Sequence, residues 1–272
     1  MALLSGCPAP EGDAKRSQTR LDLAKDFLSK HQLEAAETEA NKSVAYQKSN
    51  DEAFNVRGLV HYLRALDVQR LLEVDGCLTG VDAEALRDEL DTHLGQADRD
   101  FTRAAELSPD YGEAWSNRGV VANLLGNYDD AIKFLGKALE NPARLINPGL
   151  TRSHLGWAYF HKNDHVGAAK ELRQAAQFQP GMCVATYRLG RVYFAREEWE
   201  NAAEQFQDVS EQPACGSQEA SLYLMLTRLK QGLTEDARVA RDACLALSPQ
   251  SCVAARCRAE GSTLGTSPGS EQ

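Results

Sequence analysis

No Cys-x-x-Cys pair occurs in the 272 residues, which makes zinc ligation by paired cysteines and thioredoxin-type exchange poor readings. No apolar run approaches the 18 or more residues that a membrane-spanning helix needs. Clusters of Lys and Arg are also missing, and a net charge of −9 repels a phosphate backbone, so nucleic acid is not an expected partner. The chain has no Gly-rich phosphate loop, no nucleophile elbow and no metal triad. His161 and His165 are four residues apart, a metal-like spacing, but Asn163-Asp164 puts a turn between them, so they read as solvated polar residues. Carboxylate pairs such as Asp129-Asp130 and Glu197-Glu198 fall where helices begin, next to the positive end of the helix dipole. The expectation is therefore a chain without enzymatic activity, cofactor, metal or small-molecule substrate. What is present, 43% apolar and 25% charged residues, is enough to form a core.

Self-similarity with a period near 34 residues runs through the chain. From Gly112, Trp115, Gly119 and Ala122 lie on a first helix and Ala131, Leu135 and Ala138 on a second. From Gly149 the same register gives Leu155, Gly156, Tyr159, Ala168, Leu172, Ala175 and Pro180; from Cys183 it gives Leu189, Gly190, Tyr193, Ala202, Phe206 and Val209. Weaker units begin at Ser17 (Ala24, Phe27, Ala36, Ala40) and Gln218 (Ala237, Cys244, Pro249). The unit at Asp51 has Phe54 and Gly58 on its first helix, but Ala97, Phe101, Ala104 and Pro109 come 27 residues late, which marks an insertion. Turn residues agree: Gly126-Asn127, Asn163-Asp164 and Gly232 separate first from second helices, and Pro109, Pro180 and Pro249 end second helices.

This small/large/small register resembles the tetratricopeptide family. It implies an all-α solenoid, a right-handed superhelix of six tetratricopeptide repeats at about 17–50, 51–111, 112–148, 149–182, 183–217 and 218–251. The glycines and alanines of the register stand where paired helices cross, and stacking supplies the core that one pair cannot bury alone. Residues 1–16 are expected to be a tether, 252–260 a helical cap and 261–272 a disordered tail. In the second repeat, Leu63, Leu66, Leu71 and Leu72 on one arm and Val81, Leu86, Leu90 and Leu94 on the other predict an extended helical hairpin with its tip at Asp75-Gly76-Cys77. About 13 extra residues per arm would project it by roughly 20 Å. It is either a second partner contact or a decoration packed on the first repeat.

First helices line the concave wall of such a superhelix. The residues expected to face it are Leu59, Tyr62, Val120, Leu150, Trp157, Phe160, Val184, Tyr187, Phe194, Leu222 and Leu226, with Leu229 continuing the last helix. An apolar, aromatic stripe on an open surface is normally a binding site. The competing reading, that some of these residues are core, applies first to the sixth repeat, where a segment from Cys252 could fold back as a cap. Asn55, Asn123 and Arg191 are too scattered for a clamp that holds a C-terminal carboxylate.

Leu4-Ser5-Gly6-Cys7 resembles the lipobox, at which a signal peptidase cleaves so that the cysteine becomes acylated. Cys7 would then be a membrane anchor, its acyl chains partitioning at roughly 0.8 kcal/mol per buried methylene. Six residues precede Cys7, too few for the charged and apolar regions of a signal peptide, so either the start lies upstream or the match is accidental. The polar stretch from Pro8 to Ser17 suits the first alternative, as the tether such an anchor requires. With Cys7 set aside, six cysteines remain (77, 183, 215, 244, 252 and 257), an even count compatible with up to three bridges in an oxidising compartment. Six cysteines allow 15 pairings. Cys183 and Cys215 are the expected pair, because they lie at the same end of adjacent first helices.

The stretch NRGVVANLLGNYDDAIKFLGKAL, the lengthening around Asn141-Pro142 and Asn147-Pro148, and then SHLGWAYFHKNDHVGAAKELRQA and YRLGRVYFAREEWENAAEQF resemble the pilotin family of type IV pilus biogenesis (PilF/Tgl) from about Trp115 to Ser251. The resemblance implies an outer-membrane lipoprotein on the periplasmic face, anchored through Cys7. It also implies secretin subunits as partners, whose localisation and oligomeric assembly the protein would promote. The first repeat, the insertion and the number of cysteines depart from shorter members. The alternative is a periplasmic scaffold that organises cell-wall or envelope-assembly proteins.

Overall fold

The computed structural model describes residues 11–74 and 82–264. Among these residues there are thirteen α-helices and no strand. Six consecutive helix pairs are formed by α1 (Glu11–Ser29) with α2 (Leu33–Tyr46), α3 (Asp51–Val74) with α4 (Ala83–Leu107), α5 (Gly112–Leu124) with α6 (Tyr128–Glu140), α7 (Pro148–His161) with α8 (His165–Phe178), α9 (Cys183–Ala195) with α10 (Trp199–Glu211), and α11 (Gln218–Lys230) with α12 (Thr234–Leu247). The last helix is α13 (Cys252–Glu260). The fold is an all-helical solenoid of helix pairs.

Four of the six pairs share one repeated crossing contact. A Cβ added to Gly119 would lie 2.5 Å from Leu135, and at Gly156 and Gly190 it would lie 2.7 Å from Leu172 and Phe206. The same contact joins Gly58 to Phe101, at 2.7 Å, although the insertion separates them further in sequence. Only glycine lets the large residue of the second helix close over the first. Ala36, Ala97, Ala131, Ala168, Ala202 and Ala237, at the matching position of each second helix, are all fully buried.

In five of the six pairs the turn between the helices carries a left-handed residue. Gly126 and Gly232 supply it with φ of 74° and 76°, but His31, Asn163 and Glu197 adopt it too, at 56°, 61° and 60°. Glu197 is thus a turn residue and not the start of a helix, since Glu198 occupies the N-cap of α10. Asp129 and Asp130 do lie in the first turn of α6, as their charge suggests.

The chain divides into two compact units, Met1–Asp67 with Asp88–Ile146, and Val68–Arg87 with Asn147–Gln272. In the first unit, Arg57 forms a two-pronged ion pair with buried Asp100, its Nε 2.8 Å from Oδ2 and its Nη2 2.6 Å from Oδ1. His61 is buried behind this pair, with Nε2 3.8 Å from Asp100 and 3.9 Å from Glu37, and its Nδ1 has no partner. Burial pushes the His61 imidazole below its usual range, against the opposing pull of Asp100 and Glu37. The unfolded chain therefore takes up a proton near pH 6.5 that the folded chain refuses. Stability should be complete above about pH 6.5 and fall as the pH drops below it, with a slope of up to about 1.4 kcal/mol per pH unit for the one proton. Urea midpoints at pH 7.5 and 5.5 check this: wild type should lose more stability than His61→Gln over that interval, and equal losses would contradict it.

Three expectations change. The stretch expected to be a tether as far as residue 16 is already helical from Glu11. The tail does not begin at Gly261, which is buried, because Ser262–Leu264 make a 3-10 turn and Arg238 donates to the Leu264 carbonyl oxygen from Nη2 at 2.9 Å. Leu264 is buried against Leu222 and Met225, an apolar contact that a Gly/Ser-rich stretch does not advertise. Near its base the hairpin meets the first repeat through Arg64–Glu37 at 2.6 Å and His31–Asp67 at 3.2 Å. Its distal residues belong to the second unit, where the Leu72 carbonyl oxygen lies 3.6 Å from the sulfur of Cys252. Cys7, the hairpin tip at 75–77, Val81 and residues 265–272 lie outside the described residues.

Candidate functional site

The expected stripe separates into three groups. Leu59 and Tyr62 are half-buried in the first unit, packed on a cluster that includes Ala65, Leu94 and Phe101, and Val120 is half-buried on α5. Leu222 is not a surface residue: α11 turns it fully inward, with 0% exposure, among Met225, Cys244 and Leu264. Leu226 and Leu229 pack on the same cluster, and Val184 packs beside Ala175, Met182 and Ala185. The core reading of the sixth repeat therefore holds for Leu222. Leu150, at 36% exposure, is the most open of the expected set.

The remaining four residues, Trp157 and Phe160 on α7 and Tyr187 and Phe194 on α9, share one surface. Trp157 and Phe160 stack with ring centres 5.0 Å apart and planes 9° from parallel, because α-helical residues three apart lie on one face. Tyr223 on α11 joins them, with its ring 6.3 Å from Tyr187 and 5.4 Å from Phe194. Arg191 lies at the centre. Its guanidinium is 4.0 Å from the Tyr223 ring, 5.6 Å from both Trp157 and Phe160, and 5.9 Å from Tyr187, whose hydroxyl accepts from Nη1 at 3.0 Å. Arg188 also lies over Trp157, at 5.3 Å, and donates to Ser153 Oγ at 3.0 Å.

Two histidines finish the edge. His161 meets Trp157 edge-on at 4.6 Å, and His165 stacks on Phe160 at 5.7 Å. Burial first, then Arg191 and Arg188, holds His161 below its usual range, so it is neutral near pH 7 and adds apolar surface. Among the described residues, no group of three or more His, Cys, Asp or Glu could hold a metal ion. The chemistry available on this face is stacking, apolar contact and cation–π attraction.

Sequence reasoning missed Arg188, Arg191, Tyr223 and His161 as members of this surface. Arg191 and Arg188 could have been found from their positions four and one residues after Tyr187 on α9. Tyr223 required a one-residue correction to the register of α11, which turns a helix by about 100°.

Cys183 and Cys215 are bridged, with Cα atoms 5.5 Å apart, as their positions at the same end of α9 and α11 led us to expect. A second bridge, Cys244–Cys257, ties α12 to α13. Cys252 is also disulfide-bonded. The Cys183–Cys215 link closes a segment of 32 residues containing α9 and α10, which on chain-entropy grounds contributes about 3–4 kcal/mol. Replacing both cysteines with serine should lower the midpoint of thermal unfolding by roughly 10 °C. A midpoint within about a degree of wild type would show that the bridge constrains little.

Residues 112–141 match the sequence profile of the tetratricopeptide repeat. No curated protein matches the chain. Among solved structures, PilW, a type IV pilus biogenesis factor, superimposes with a TM-score of 0.67 at 17% identity, over 88% of this chain and 96% of its own. PilF of Pseudomonas aeruginosa gives a TM-score of 0.67 at 13% identity, over 92% of this chain and 100% of its own. YrrB, a tetratricopeptide-repeat protein with an unusual peptide-binding site, gives 0.52 at 18% identity over 81% and 97%. At these identities the likeness is one of fold: the chain carries a tetratricopeptide-repeat match at residues 112–141 and is structurally similar to PilW and PilF.

Proposed function

We propose that this protein is a pilotin, an acylated adaptor that holds a segment of a type IV pilus secretin subunit on the aromatic face of α7, α9 and α11. Capture there would promote the secretin's localisation to the outer membrane and its assembly into an oligomer. Cys7 would be the acylated residue, placing the protein on the periplasmic face of the outer membrane.

The observation that supports this reading best is similarity in fold to PilW, described as a type IV pilus biogenesis factor, over nearly the whole of both chains. The half-buried aromatic surface adds a place where a peptide segment can lie, and stacked helix pairs suit protein capture. Two bridges and a fifth bonded cysteine agree with an oxidising compartment.

The test is capture from detergent-solubilised envelope with the acylated protein as bait. Secretin should dominate the captured material; cell-wall hydrolases in its place would favour the scaffold reading. Cys7→Ser, expressed behind a functional signal peptide, should be released as a soluble periplasmic protein. If that variant still floats with outer membrane, the anchor lies elsewhere.

A further inference from the structure

Arg191 has a role that apolar capture alone does not explain. Arg20, Arg57 and Arg152 each meet a carboxylate at 2.9 Å or less. Arg191 meets none among the described residues, although the chain carries 39 acidic residues against 30 basic ones. Four aromatic rings surround it instead, and among the described residues the one acceptor it reaches is the Tyr187 hydroxyl. A guanidinium has five N–H donors in a fixed fork, so most of its hydrogen-bonding capacity is left for solvent or a ligand. The rings strip water from its faces without offering an acceptor, and under those conditions a charge-assisted bond to a carboxylate is strong and directional. Arg188, also over the Trp157 ring, gives the same patch a second positive charge in a chain of net negative charge. Glu219 acts on Tyr187 through space but makes no ion pair with Arg191.

We infer that this face selects peptide segments in which an Asp or Glu is embedded in an apolar stretch. The carboxylate binds Arg191 while flanking apolar side chains cover Trp157 and Phe160. The inference rests on the reading that this face is the capture surface, and it adds the chemistry of what is captured.

A phage-displayed library of random 12-residue peptides, panned on the full chain and on Arg191→Gln, tests it without reference to any named partner. Wild type should enrich apolar peptides containing Asp or Glu. Changing that residue to Asn or Gln in a synthetic copy should weaken binding by about tenfold or more. On Arg191→Gln the same change should matter less than about twofold, and circular dichroism must show that this variant is folded. Enriched peptides that lack an acid, or that bind equally well once it is neutralised, overturn the inference. If their binding still depends on Trp157, the capture surface itself stands. Failure to enrich any peptide overturns it as well. So does a dimer in light scattering that dissociates in Arg191→Gln, since that would seat a second copy of the chain on this face.

Discussion

Replacing Trp157 and Phe160 together with alanine is expected to weaken secretin capture by about thirtyfold or more while leaving the helices in place. Aromatic anchors at the centre of an interface commonly cost about 2 kcal/mol or more when truncated, which corresponds to that factor. Both rings are half-buried and stacked on one another, with His161 edge-on to Trp157 and His165 stacked on Phe160, and so stand outside the fully buried core. The contact that holds their helix pair, Gly156 against Leu172, is untouched by the change. Removing the stack also takes two of the four rings from around Arg191, so the loss should include part of the carboxylate recognition. Titration of labelled secretin segments, with circular dichroism beside it, separates lost binding from lost fold. Normal folding with unchanged affinity would move the partner elsewhere, and the α3–α4 hairpin would be the next surface to test.

The opposite pattern is expected of Phe206→Ala. The Phe206 ring is fully buried, closes over Gly190 and packs with Leu189, Val192, Tyr193 and Ala202. It also lies 6.0 Å from Tyr187 and 5.6 Å from Tyr223, so it is the floor beneath part of the aromatic surface. Truncating a buried phenylalanine costs about 3–5 kcal/mol, from lost burial plus the cavity that remains. In a repeat stack that cost falls on one pair and its neighbours. Hydrogen exchange should therefore show α9 and α10 losing protection first, with α1 and α2 nearly unchanged. Binding should fall too, as a consequence of instability, and adding stabilising osmolyte should restore it, which it would not do for the Trp157 and Phe160 variant. Uniform loss of protection throughout the chain would show that the solenoid unfolds as one unit.

The crossing contacts were legible because they are local in sequence and severe in space. Only glycine at 58, 119, 156 and 190 admits the residue above it, and that constraint repeats with the period of the fold. The Cys183–Cys215 bridge was legible for a related reason, since two helix starts one repeat apart place their residues side by side. Cys244 was read as a buried register position and is one, but its bridge to Cys257 depends on how α13 folds back, which no periodicity records. Leu222 was misplaced because α11 lacks a glycine to fix its register, and a leucine-rich helix presents apolar residues on several faces. Arg191 was set aside as isolated because the rings that surround it come from three helices, α7, α9 and α11. Glu197 shows the limit of turn chemistry: the left-handed position is set by the tight connection between two packed helices, and the neighbouring pairs fill it with Gly or Asn.

The central claim, that this chain assembles a secretin by holding a segment of it on the α7–α9–α11 face, is tested most directly by heat-stable secretin oligomers in cells. In a deletion strain these oligomers should be lost on immunoblots and restored by the wild-type chain. The Trp157→Ala, Phe160→Ala variant, expressed at the same level and shown to be folded, should fail to restore them. Wild-type oligomer levels in the deletion strain would contradict the account.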